Sequence, residues 1–263
     1  MKNVQFKLLA ATLASVMLAG AAHAQVVGGT SDPAKVKISS STVNGGPHSA
    51  GKVGFNVPNL APGQFVDFQG LKTIIGTDAN GVTTFVNTTG TTTDHSQYGQ
   101  FDFAKVGSHD IYFGEWKQTA SVTAGDHTVY YGGTGASTSV PTTGSATYAV
   151  KGISDYQGKG ILTGTFTANF ASGSSGTLTG NLANSGSTYG VNIGTANIKA
   201  DGTFIGSGAT ATGSSGTPLA SSGSVNGRFF GSNVNALAGT VKFGPGTTAV
   251  RQYDTAFGGT KNP

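Results

Sequence analysis

Four of the five histidines, those that follow the first 24 residues, are the residues best suited to bind a metal in this chain, since imidazole is the commonest metal-binding side chain of proteins. They are His48, His95, His109 and His127. The chain has no cysteine, and both methionines lie within the first 17 residues. All four histidines precede residue 144, whereas a random scatter would place about half of them after it. This bias predicts a ligand site in the first part of the chain.

Motifs typical of enzymes are missing. The sequence has no His-Glu-x-x-His spacing for a hydrolytic metal and no Gly-x-Ser-x-Gly elbow between a strand and a helix pattern. Glycine-rich stretches at 173–176 and 213–216 do not continue into Gly-Lys-Ser/Thr, so we interpret them as turns rather than phosphate loops. A Ser-His-Asp site stays open, because such a triad is assembled in space. We expect a binding protein and not an enzyme.

The first 24 residues have the pattern of a secretory signal peptide. Lys2 and Lys7 give a basic start, an apolar stretch runs from residue 8 to 22, and Ala22-His23-Ala24 fits a cleavage site. We expect cleavage after Ala24 and a secreted, extracellular protein that passes through the periplasm. Removal of two lysines lowers the net charge from +4 to about +2. That charge is too small for nucleic-acid binding, which needs clustered Lys and Arg.

Eight short runs after residue 144 alternate apolar residues with small or polar ones, and Gly/Ser/Asn turns separate them. Such runs are typical of antiparallel strands. They span residues 146–151, 162–170, 176–182, 189–198, 202–209, 224–230, 237–243 and 252–257. Eight strands can close into a barrel filled by side chains, which removes exposed sheet edges.

We therefore predict an all-β protein of two domains. Residues 25–143 would form a β-rich, ligand-binding handle, and residues 144–263 an eight-stranded antiparallel barrel. No helical periodicity is found beyond the leader. Trp116, the only tryptophan, is expected to pack the handle against the barrel.

The segment Gly227-Arg228-Phe229-Phe230-Gly231 carries no reactive side chain, so we expect an architectural role. Alternation places Phe229 and Phe230 on opposite faces of a strand, one ring inside the barrel and the other docking another part of the chain. With the small-residue strand that follows, at 237–241, the segment resembles the closing motif of the transferrin-binding protein B barrel.

A second set of residues resembles the hemophilins, a branch of the same superfamily: 110–116, 128–133 and 144–148. This resemblance implies a secreted haem carrier with a handle and a barrel. It implies haem b as the ligand, a Slam-type outer-membrane translocator, a TonB-dependent outer-membrane haem receptor, host haemoproteins as a source, and a monomer. Two alternatives stay open, a module that binds a host protein and a surface adhesin.

If the ligand is haem, its iron must be held by histidine or tyrosine, because the mature chain lacks cysteine and methionine. His48 and His95 lie in glycine- or threonine-rich loops and are the preferred pair, with His109 as the substitute. His109 and His127 begin two successive strand-like runs, and in a hairpin they would stand roughly 20 Å apart. They are therefore not expected to bind one iron together.

Apolar residues between 53 and 103 are the expected walls of a haem slot, foremost Val53, Phe55, Tyr98 and Phe101. The further wall candidates are Val57, Leu60, Phe65, Ile74, Ile75 and Phe103. Lys52 and Lys72 are candidates for contact with the propionates.

Overall fold

The computed structural model describes residues 25–86, 98–119, 121–244 and 248–263. The described residues form a five-stranded sheet, a three-stranded sheet and a closed eight-stranded barrel. The predicted fold class is confirmed, since the chain is all-β with an antiparallel barrel in its C-terminal part and a β-sheet domain before it. The predicted leader lies outside the described residues, so its cleavage stays a prediction.

Eight strands precede the barrel in the part of the chain that the structure describes. They are β1 Val27–Thr30, β2 Lys37–Ser40, β3 Val53–Asn56, β4 Val66–Asp67, β5 Val82–Val86, β6 Gln100–Lys105, β7 Ile111–Lys117 and β8 Thr128–Gly133. The larger sheet has the order β1-β8-β7-β6-β5 and the smaller one β2-β3-β4. Strands β7 and β8 are antiparallel neighbours, with Trp116 opposite Thr128, so the predicted hairpin is confirmed.

The barrel follows the chain order and closes between its last and first strands. Its strands are β9 Ser145–Ile153, β10 Leu162–Asn169, β11 Gly176–Ala183, β12 Tyr189–Ile198, β13 Thr203–Gly213, β14 Pro218–Phe230, β15 Ala236–Lys242 and β16 Thr255–Lys261. All eight predicted runs are strands. The last strand begins three residues later than predicted, because residues 248–251 form a short helix before it.

Phe229 and Phe230 confirm the expected division between two faces. Phe229 is buried inside the barrel and packs against Phe204, with ring centroids 5.4 Å apart. Phe230 is buried on the outside, in an apolar cluster that also contains Phe113 and Tyr131 of the handle. This cluster joins the five-stranded sheet to the barrel wall.

Trp116 does not join the two parts, so that expectation is wrong. Its side chain lies in a separate handle cluster with Phe101 and Tyr112, and its indole N–H donates to the Tyr98 carbonyl oxygen at 2.7 Å. The reason is strand alternation: Phe113 and Trp116 lie on opposite faces of β7, and the Phe113 face meets the barrel.

Three short α-helices within the described ranges also correct the sequence analysis, which expected none after the leader. They are α1 Phe68–Ile75, α2 Tyr156–Lys159 and α3 Thr248–Arg251. Helix α1 has only eight residues, of which one is glycine and three are β-branched, so it gives no clear helical pattern in the sequence. Among the described residues, no helix has the length and apolar character needed to cross a membrane.

Candidate functional site

An apolar cavity of about 570 Å³ lies in the handle, between the three-stranded sheet with its helix α1 and the ends of β5 and β6. Its volume falls within the usual range for small-molecule sites. The lining is mostly aliphatic and aromatic, with a few polar groups. It comprises Pro47, His48, Phe55, Asn56, Val57, Ala61, Gln64, Val66, Leu71, Ile74, Phe85, Tyr98 and Phe101.

The aromatic wall of the cavity comes from two sheets. Phe85 on β5 stands opposite Phe101 on β6, and their ring centroids are 6.3 Å apart. Phe55 on β3 meets Phe101 at 4.3 Å, so this pair connects the two sheets. Rings packed in this way offer flat apolar surface without polar atoms, which suits an apolar, planar ligand.

The loop after β3 closes one side of the cavity. Asn56 is buried, and its amide nitrogen donates to the backbone oxygens of Ala61 and Gln64 at 2.5 and 2.7 Å. These hydrogen bonds hold the loop 57–65 against the strand. The amide of Asn56 is therefore used in building the wall.

His48 is the one histidine among the described residues that lines the cavity. It ends a tight turn in which Gly45 and His48 exchange two backbone hydrogen bonds of 3.1 Å. Gly46 has a φ of +58°, a conformation that favours glycine, and proline follows it. The turn brings the imidazole back towards the cavity.

The His48 ring is held by a buried carboxylate. Its Nδ1 lies 3.0 Å from Oδ2 of Asp67, whose side chain is 2% exposed, while the His48 side chain is 15% exposed. The same oxygen accepts the Ser49 amide at 3.0 Å, and Oδ1 accepts the Gly70 amide at 2.6 Å. With Nδ1 engaged, Nε2 is the nitrogen left for a ligand. A histidine oriented by a carboxylate is the usual arrangement at metal sites.

Three of the four principal wall residues line the cavity: Phe55, Tyr98 and Phe101. Val53 does not, because its side chain is turned into the handle core near Gly132. Among the further wall candidates, Val57 and Ile74 line the cavity, whereas Leu60, Phe65, Ile75 and Phe103 do not. Lys52 and Lys72 are not among the lining residues either.

Sequence analysis missed several lining residues, notably Val66, Leu71 and Phe85. Leu71 belongs to a helix that was not expected. Phe85 could have been found, since β5 pairs in register with the strand that carries Phe101. Asp67 gave no signal, because its role depends on a contact with a residue 19 positions earlier in the chain.

His95 lies outside the described residues, so its pairing with His48 stays a prediction. Tyr98 is three residues further along and lines the cavity. Within the described ranges, no group of three or more His, Cys, Asp or Glu residues is arranged to hold a metal ion. Iron inside a porphyrin needs only one or two side chains, so this finding does not conflict with haem.

His109 lies in the turn between β6 and β7 and outside the cavity lining. Phe101 and His109 lie towards opposite ends of this hairpin, since Phe101 pairs with Trp116 whereas Lys105, near the turn, pairs with Tyr112. A ligand that fills the cavity is therefore out of reach of His109 in this arrangement.

His127 is fully buried at the junction of handle and barrel, and both of its ring nitrogens are occupied. Nε2 lies 2.8 Å from Oε2 of Glu115, and Nδ1 lies 2.8 Å from the backbone oxygen of Arg251. Both ring nitrogens therefore have partners within the protein, and neither is free for a metal. The residue is structural.

Two family models match the chain. Residues 21–128 match the HphA N-terminal heme-binding domain, and residues 138–261 match the HphA C-terminal domain. Together the two matches span most of the sequence, and the cavity with His48 lies inside the first.

Three solved structures of transferrin binding protein B are also similar. Intact Ap-TbpB, with N and C lobes, is 12% identical over 90% of this chain and 46% of that chain, with a TM-score of 0.47. A double mutant from Haemophilus parasuis is 16% identical over 68% and 37%, with a TM-score of 0.40. A mutant from Actinobacillus pleuropneumoniae is 16% identical over 91% and 99%, with a TM-score of 0.41. The chain thus spans less than half of the first two proteins.

Proposed function

The chain belongs to the HphA family, the hemophilins, and on this premise we propose that it captures haem outside the cell by histidine ligation and delivers it to an outer-membrane receptor. It is a haem-binding protein, as the first family match indicates. The observation that supports the finer proposal is the apolar cavity with one oriented imidazole at its wall.

The cavity residues fit a porphyrin. Phe55, Phe85 and Phe101 supply aromatic surface for its faces, and His48 supplies a nitrogen for its iron. Haem b would bring an iron that accepts axial ligands. The cavity lining contains no lysine or arginine among the described residues, so we place the anionic propionates towards solvent.

We propose His48 as one axial ligand, through Nε2, and His95 as the second. His109 is left out of the pair because it does not line the cavity. Tyr98, at the cavity wall, is the alternative oxygen ligand or a hydrogen-bond partner for a bound histidine.

Capture and delivery require no covalent change in the ligand, so the proposed role is that of a carrier and not of an enzyme. The leader pattern supports export across the inner membrane. Passage through a Slam-type translocator and delivery to a TonB-dependent receptor follow from family membership and belong to the proposal. The barrel acts as a scaffold, because its interior is filled by its own side chains.

Titration of purified protein with hemin, followed by Soret absorbance, tests this proposal. We expect a saturable shift at one equivalent that is weakened strongly in His48→Ala and in His95→Ala. His109→Ala is the matched control and should bind like the wild type. The ligand assignment fails if His48→Ala and His95→Ala both bind hemin as tightly as the wild type.

A further inference from the structure

We propose that Asp67 is the positioning residue of the haem site: it fixes the tautomer and the orientation of the His48 ring, so that Nε2 faces the cavity unprotonated. This inference rests on the proposed role of His48 as an iron ligand. Asp67 itself does not line the cavity and would not touch the haem.

The hydrogen bonds of Asp67 support this role. Oδ2 accepts from the Ser49 amide and faces Nδ1 of His48 at 3.0 Å, and Oδ1 accepts from the Gly70 amide at 2.6 Å. A carboxylate only accepts, so Nδ1 must carry the proton that it shares with Asp67. In a neutral ring the other nitrogen, Nε2, then has a free lone pair.

The position of the carboxylate is itself fixed by helix α1. Asp67 is the residue before the first turn of the helix, in extended conformation, and it caps the Gly70 amide. One oxygen is thus used to begin the helix, and the other to hold the ring. Because the helix packs on the sheet through the buried side chains of Phe68 and Leu71, the carboxylate is anchored to the handle core.

Gly70 allows this close approach. A methyl group at Gly70 would lie 2.6 Å from the Pro47 carbonyl oxygen and 2.7 Å from Nδ1 of His48. Distances this short are steric clashes. The helix start, the carboxylate and the histidine turn therefore fit together only if residue 70 has no side chain.

Replacement of Asp67 by asparagine tests the tautomer directly. The amide oxygen can still cap the helix at the Gly70 amide, and the NH₂ group then faces both Nδ1 and the Ser49 amide, which loses its acceptor. In this orientation Nδ1 becomes the acceptor, and the proton moves to Nε2, which blocks iron binding. We expect haem affinity to fall about 10- to 100-fold, the usual effect of losing the partner of a metal-bound histidine.

Two controls separate positioning from folding. Asp67→Ser retains a helix cap but is too short to reach the ring, so we expect normal helix content with weakened haem binding. In a His48→Ala background, Asp67→Asn should have no additional effect on haem affinity, because Asp67 acts through His48.

Besides haem affinity, a second measurement tests the inference on the protein without haem. A proton–nitrogen correlation spectrum of the histidine rings in the haem-free protein should show His48 protonated at Nδ1 in the wild type and at Nε2 in Asp67→Asn. A wild-type ring protonated at Nε2 alone would overturn the inference. So would an unchanged haem affinity in Asp67→Asn together with weakened binding in His48→Ala. If the wild type does not bind haem, the proposed function fails, and the spectra alone decide the role of Asp67.

Discussion

At the scale of single residues, the least expected feature is a group of buried charges between handle and barrel. Glu115 and Lys117 are fully buried, and Lys117 Nζ lies 3.4 Å from Glu115 and 3.5 Å from Asp155. Burial by itself raises the pKa of Glu115, but the hydrogen bond from His127 and the charges of His127 and Lys117 outweigh burial and lower the pKa to about 2. The carboxylate is therefore charged at neutral pH.

Replacement of this carboxylate should be costly. Glu115→Gln leaves His127 without its buried counter-ion and removes one of the three carboxylates around Lys117, which keeps Asp155 and Asp102. Breaking a buried ion pair costs about 3–5 kcal/mol. Urea unfolding should show this loss. Asp201→Asn, on an exposed barrel turn, is the matched control and should change stability by no more than about 0.5 kcal/mol. Equal stability of the two variants would contradict the ion-pair assignment.

The loss of the Asp254 proton should lower the free energy of unfolding as pH rises. Burial raises its pKa from 3.8 to about 6, in spite of the hydrogen bond that it accepts from the Phe243 amide at 2.8 Å. Because the folded state binds the proton of Asp254 more tightly than the unfolded state does, Asp254 contributes fully to the free energy of unfolding below about pH 4. This contribution is lost as pH increases through 6. The loss amounts to about 3 kcal/mol.

Asp254→Asn provides the comparison, because asparagine does not titrate and can still accept the same hydrogen bond. Urea unfolding near pH 4 and near pH 7 should show the wild type losing stability relative to this variant. Parallel pH profiles of the two proteins would mean that Asp254 keeps an ordinary pKa in the folded state.

At the scale of elements, most barrel strands could be predicted because one face of the strand is buried and the other is more exposed, whereas β15 and β16 are buried on both faces over most of their length. In β9 the buried and exposed residues alternate strictly over eight positions, which is the period-two pattern seen in the sequence. Helix α1 could not be predicted, since its formation depends on the Asp67 cap and on packing of Phe68 and Leu71 in the handle core. Tertiary contacts, and not helix propensity, decide its conformation.

In helix α1, replacement of Gly70 by alanine, a better helix former, should weaken haem binding. Alanine in place of glycine normally stabilises a helix interior by about 0.5–1 kcal/mol. At Gly70 the added methyl group would collide with the His48 turn. We therefore expect Gly70→Ala to weaken haem binding, as measured by hemin titration.

The control for that experiment is Gly186→Ala, in the loop between β11 and β12, where the nearest atom to an added methyl group is 3.6 Å away. It should leave haem binding unchanged. Wild-type affinity in Gly70→Ala would show that the helix and the histidine turn are not coupled.

At the scale of the whole molecule, handle and barrel share an apolar junction centred on Phe230. A methyl group at Gly133 would lie 2.9 Å from the Phe230 ring, so the two parts are in close contact. Removal of a buried phenylalanine costs about 3–5 kcal/mol. Phe230→Ala should destabilise the protein by this amount in urea unfolding. A loss below about 1 kcal/mol would mean that the junction is not packed in solution.

The region of the chain that forms the site could be predicted from the sequence, but the geometry of the site could not. The histidine distribution pointed to the handle, and Phe55, Tyr98 and Phe101 do line one cavity with His48. What could not be predicted was which histidines are free. His127 begins a strand-like run, and nothing in that run indicates that its two nitrogens are engaged by Glu115 and Arg251, which are 12 and 124 residues away. Contacts of that range leave no local pattern.

The central claim is that His48 holds haem iron within the cavity between α1, β3 and β6. A crystal structure of the haem-loaded protein tests this most directly. We predict that the porphyrin has the rings of Phe55 and Phe101 on one side and the start of α1 on the other. Nε2 of His48 should then lie about 2 Å from the iron. A porphyrin bound elsewhere, or an iron whose ligands do not include His48, would contradict the account.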